Sequence, residues 1–87
     1  MAFEGMDIGA VRQLANLMRQ KADEIDHIIS QLTGSVNNTQ WVGPDRDRFI
    51  QDWQSSHVPA LKQVEGGLRD AATLADGNAT QQEQASH

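Results

Sequence analysis

The sequence predicts an all-α fold, an antiparallel helix-turn-helix hairpin. Three observations carry this. Apolar residues recur three and four apart along two long stretches. Asn37-Asn38-Thr39 and Trp41-Val42-Gly43 punctuate the chain between them. No segment alternates apolar and polar residues at the period of a strand.

The chain has 87 residues, enough for a single domain from 1 to 87 with a modest core that gains from a partner. Hydrophobic residues are 38% and charged residues 22%, a globular rather than disordered balance. The net charge of −5 comes with no basic stripe, which argues against nucleic acid and against an anionic membrane surface. There is no cysteine, hence neither a disulfide framework nor a thiolate metal site. Residues 1–10 hold Glu4 and Asp7, no basic residue and no following apolar core, unlike a Sec signal peptide. By these general rules the protein reads as cytoplasmic.

Helix 1 is expected over about 7–38. Asp7 is a good N-cap, and Met6 and Val11 flank it as a hydrophobic staple. Ile8, Val11, Ala15, Met18, Ala22, Ile25, Ile29, Leu32 and Val36 form a heptad seam. Leu14 and Ile28 widen that seam beyond what one partner helix covers. Gly34 offers an early stop, but Val36 keeps the register, so the end falls near Asn38. The turn is then 39–43.

Helix 2 is expected over about 44–75. Pro44 suits the first helical position, and Asp45 and Asp47 complement the helix dipole. Its seam runs Ile50, His57, Leu61, Val64, Leu68, Ala71 and Ala75, with Phe49, Trp53, Ala60 and Leu74 beside it. Pro59 kinks this helix unless it begins a new segment. Gly66-Gly67 weakens it by roughly 1 kcal/mol per residue relative to alanine. From 76 to 87 the chain is polar and reads as a flexible tail.

The candidate hairpin or dimer interface is Val11, Leu14, Met18, Ile25, Ile29, Leu32, Phe49, Ile50, Trp53, His57, Leu61, Val64 and Leu68. Two hairpins facing each other would close a four-helix bundle dimer. His57 on the seam reads as a packed histidine or, more sharply, as a register or pH device. Trp41 and Gly43 read as turn anchors, and a tryptophan at an exposed bundle tip also suggests recognition. His27, His57 and His87 lack ligand spacing, and no nucleophile motif or phosphate loop is present. No catalytic residue, metal or cofactor is therefore expected. Two glycosylation-like triplets, Asn37-Asn38-Thr39 and Asn78-Ala79-Thr80, are ordinary for a polar turn and tail.

One central Trp-Val-Gly, heptad helices on both sides, the length and the absence of cysteine together resemble the WXG-motif (ESAT-like) family of type VII (Esx) secretion proteins. The resemblance covers roughly Asp7 to Ala75, and Phe49 resembles the family's aromatic position early in helix 2. It implies a hairpin that pairs as a homodimer or with a paralogous WXG-type protein. It also implies export by a membrane-embedded ATPase without a Sec signal, so the expected location becomes secreted after synthesis in the bacterial cytoplasm. The implied action is binding and co-export, with no small-molecule substrate and no nucleic acid. One departure stands out. The family's tail signal, Tyr-x-x-x-Asp/Glu, is missing, because the chain has no tyrosine. Rival readings are a cytosolic adapter or chaperone for a larger secreted effector, and a structural coiled-coil module.

Overall fold

A computed structural model of the chain describes residues 6–85. Helix α1 spans Ile8–Asn38, α2 Pro44–Asp52 and α3 Val58–Ala85, with a five-residue π-helical turn, Trp53–His57, joining α2 to α3. No strand occurs among the described residues. Pro44 to Ala85 is helical without a break, and α1 lies along α3 in a two-armed hairpin. The rod measures 64 × 18 × 15 Å. Its radius of gyration, 19.3 Å, exceeds the roughly 12 Å of a compact chain of this length.

Both arms start on defined signals. Asp7 is the N-cap of α1, and its Oδ1 accepts the Ala10 N–H at 3.0 Å. Thr39 ends α1, donating its hydroxyl to the Ser35 carbonyl and its N–H to the Val36 carbonyl. Gly34 remains inside the helix. Gly43 then takes φ 130° and ψ 178°, a conformation open essentially to glycine alone, and aims Pro44 into the first position of α2.

The π turn sets the packing of the second arm. Val58 donates its N–H to the Trp53 carbonyl, five residues back instead of four. Pro59 follows at once. It has no N–H to give and its ring crowds the carbonyl four residues before it, so a widened turn is the expected relief. The extra residue rotates everything downstream by about 100°. The inward series continues through Glu65, Ala72 and Ala79, all buried, with Leu61, Leu68 and Ala75 half-buried beside it.

This corrects the expected seam of helix 2. His57 and Val64 are exposed, Val64 by 54%, and the next residues, Val58 and Glu65, face inward. The series His57, Val64, Ala71 is the one an uninterrupted α-helix would bury.

The expected flexible tail is also corrected. Residues 76–85 are helical, and Ala79 is fully buried. Arg12 and Arg19 of α1 hold Asp76 and Glu83, so polar composition here marks ion pairing rather than fraying. Residues 86 and 87 of that expected tail lie outside the described residues, as do residues 1–5.

The core is thin and small. Ala15 and Ala22 on α1 and Ala72 and Ala79 on α3 are fully inaccessible, while Ile29 and Trp53 close the tip end. Small residues at the contact let two helix axes approach closely. They also leave most large aliphatic side chains outside the core.

Candidate functional site

Among the described residues, the Trp and Phe side chains gather at the tip of the hairpin. Trp41 and Phe49 have ring centroids 5.9 Å apart, Phe49 and Trp53 stack at 6.1 Å, and His57 lies 6.3 Å from Trp53. Phe49, Trp53 and His57 recur four apart, so they line one face of the helix across the π turn. Trp53 is buried and donates its indole N–H to Thr33 Oγ1 at 2.9 Å, tying this face to α1. Trp41 is 40% exposed and Val42 is 92% exposed.

An open cleft of about 500 Å³ borders these residues, lined by residues 39–44 together with Arg46 and Asp47. Arg46 and Arg48 have no ion-pair partner among the described residues. The other five Lys and Arg side chains are all paired. The tip thus sets partly exposed apolar side chains beside two cations that have no ion-pair partner among the described residues.

The two flanks of the hairpin differ sharply. Arg12, Arg19, Asp26 and Thr33 recur seven apart along α1, and each reaches the other arm. Arg12 bonds Thr80 and Glu83, Arg19 bonds Asp76 at 2.6 Å, Asp26 accepts from Lys62, and Thr33 accepts from Trp53. Arg69 joins this flank by donating to Asp23 and to Glu65 Oε2. Glu65 Oε1 is buried without a hydrogen-bond partner, 3.8 Å from Lys62 Nζ. The hydrogen bond from Lys62 holds the Asp26 carboxyl below the usual carboxylate range, and the same bond raises Lys62. Asp23, then Glu65, raise Arg69.

The opposite flank is apolar. Leu14 and Ile28 lie about 200° around α1 from the bonded series. Leu14, Leu17, Ile28 and Leu32 are each 45–47% exposed, and Val64 and Leu74 continue the face on α3 at 54% and 67%.

Of the residues proposed from sequence for the interface, Ile29 and Trp53 are buried. Val11, Met18, Ile25, Phe49, Ile50, Leu61 and Leu68 are half-buried. Leu14, Leu32, His57 and Val64 are exposed. Sequence reasoning missed Glu65, Ala72 and Ala79, which recur seven apart after Pro59, and it missed the bonded flank. The seven-residue recurrence of Arg12, Arg19 and Asp26 against Lys62, Arg69, Asp76 and Glu83 was the available signal.

No cluster of metal-ligating side chains occurs among the described residues, and none of their helices is long and apolar enough to cross a membrane. No protein-family model matches the chain, and no curated protein or solved structure is significantly similar to it.

Proposed function

We propose that this is a small WXG-type protein exported by a type VII (Esx) secretion system, acting through helical pairing and co-export. The observation that carries the reading is the placement of Trp41-Val42-Gly43. The triplet lies between the two arms, with Gly43 in its glycine-only conformation and Trp41 and Val42 presented at the tip.

The two-sided hairpin supports the pairing part. One flank is closed by ion pairs and hydrogen bonds, and the other leaves a row of leucine, isoleucine and valine side chains in water. Such a row on a small protein is the signature of an interaction face. Covering it with a second hairpin makes a four-helix bundle. The partner is a second copy or a paralogous hairpin, and the action is binding rather than catalysis. The secretion ATPase is the further partner, and Trp41 contributes to the recognised edge.

The test is Trp41→Ala in a host with a competent type VII system. Trp41 is partly exposed and packs beside Phe49 at the tip, outside the contact between the two arms, so helicity by circular dichroism should be retained while export falls. Equal export of the variant and the parent would remove the recognition role.

A further inference from the structure

We propose that residues 58–65 form a movable segment with two registers against α1, and that Pro59 pins it in the observed one. The π turn is the moving part. It sits at Trp53–His57 in the first register and at Gly66-Gly67 in the second. The inference does not depend on the secretion reading.

A π turn adds one residue to a helix, so its position decides which residues after it face inward. Placed at 53–57, it turns Val58 and Glu65 toward α1 and leaves His57 and Val64 in water. Placed at 66–67, the same extra residue comes later. Only the segment 58–65 then rotates, by about 100°, and His57 and Val64 take the inward positions. Trp53 before it and Ala72, Asp76 and Ala79 after it keep their places, because the extra residue still lies between them. The Trp53–Thr33 and Arg19–Asp76 bonds therefore survive the change.

The two registers are closely matched in what they bury. Each turns in one valine and one titratable side chain, Val58 with Glu65 or Val64 with His57. The first register carries a specific defect. Glu65 continues the buried series of Ala79 and Ala72, and its Oε1 is buried without a hydrogen-bond partner. A buried acceptor left unpaired opposes the register that buries it. The second register returns Glu65 to water. It gives up the bonds from Lys62 to Asp26 and from Arg69 to Glu65, whose donor side chains are both well exposed, and such pairs add little.

The glycines supply the second seat. Gly66 and Gly67 lie directly after Glu65, inside α3. Nothing lies within 4 Å of a Cβ built at either, so packing does not require glycine there. What the pair provides is a weak stretch of helix, where a π turn displaces little helical stability. Pro59 acts in the opposite sense. It has no N–H for the Ser55 carbonyl, and its ring crowds that carbonyl in a regular helix. A π turn just ahead of Pro59 relieves the crowding, so Pro59 holds the turn at 53–57 against the pull of Glu65.

The rotation links the two flanks of the hairpin. It takes Val64 out of the apolar row and, in the same movement, Lys62 off Asp26. A ligand that needs Val64 outside holds the first register, and one that draws Lys62 away from Asp26 favours the second.

The experiment uses the full chain with isotope-labelled valine and alanine methyl groups. A soluble gadolinium chelate reads their exposure by nuclear magnetic relaxation, and circular dichroism reads helicity. Val42 and Ala79 are the exposed and buried references. In the parent, Val64 should relax faster than Val58. In Pro59→Ala the order of Val58 and Val64 should invert, with Ala79 still protected and helicity retained. Combining Pro59→Ala with Glu65→Leu should return the parent order, since the group that drives the shift is gone. A Pro59→Ala chain that keeps the parent order would overturn the second register. So would exposure of Ala79, which means that the rotation runs to the end of the helix instead of stopping at the glycines. Loss of helicity in Pro59→Ala would overturn it too, because Pro59 would then support the helix rather than pin a turn. An inverted order that survives Glu65→Leu would overturn Glu65 as the driving group.

Discussion

Trp53 gives its indole N–H to Thr33, and that 2.9 Å bond is the tip-end rung of a ladder whose other rungs are ionic. The donor sits in the π turn, and the acceptor continues the series Arg12, Arg19, Asp26. The bond therefore locks the widened turn to the same flank of α1 that the ion pairs hold. Trp53→Phe keeps the ring and removes the donor, and should cost about 1 kcal/mol in urea denaturation. Thr33→Val should cost a similar amount. The double variant should lose less than both together, since the two changes remove one bond.

Gly43 has room for a side chain but not the backbone freedom for one. Nothing lies within 4 Å of a Cβ built there, yet φ is 130°. Gly43→Ala should thus lose about 1–3 kcal/mol through backbone strain alone. Val42→Ala, at a 92% exposed neighbour, should stay within about 0.5 kcal/mol. Thermal melts of the two variants side by side check this.

The π turn accounts for one residue of the second arm. Deleting Ser56 should convert it to an ordinary helical turn and leave both flanking registers where they are. The expected loss is under about 1 kcal/mol. Deleting Gln63, inside α3, should instead rotate Ala72 and Ala79 off the α1 contact and cost more than about 3 kcal/mol. Denaturant midpoints of the two single-residue deletions decide the matter.

The bonded flank makes stability depend on pH at both extremes. Asp26 is depressed in the folded state, so its contribution is present above its unfolded pKa, about 3.9. That contribution is lost as pH falls through the lower folded value. Lys62 is raised, so its contribution is full below its unfolded pKa, about 10.4, and lost as pH rises through the higher folded value. The difference in melting temperature between the parent and Lys62→Gln should accordingly be largest near neutral pH. It should shrink toward about pH 2 and in high salt, since the pair is exposed.

The hairpin was legible where local chemistry decides it. Asp7 as a cap, Pro44 as a first helical residue and the heptad of α1 are all visible in short windows of sequence. The packing of the second arm was not. Its periodicity is real on both sides of residues 53–57, but the two sides differ in phase by one residue. A single continuous heptad therefore selects His57, Val64 and Ala71 where the fold uses Val58, Glu65 and Ala72. Pro59 marked the place without stating the size of the shift. Residues 76–85 were hidden for another reason. Their order depends on Arg12 and Arg19, more than fifty residues away, which composition alone does not connect to them.

The most direct measurement is secretion itself. The chain should be expressed in a host carrying a type VII system and in the same host lacking the system's ATPase, with culture medium and cell lysate compared. Appearance in the medium only when the ATPase is present is the expected result. Retention in the cells of both strains, or release that ignores the ATPase, would contradict the account.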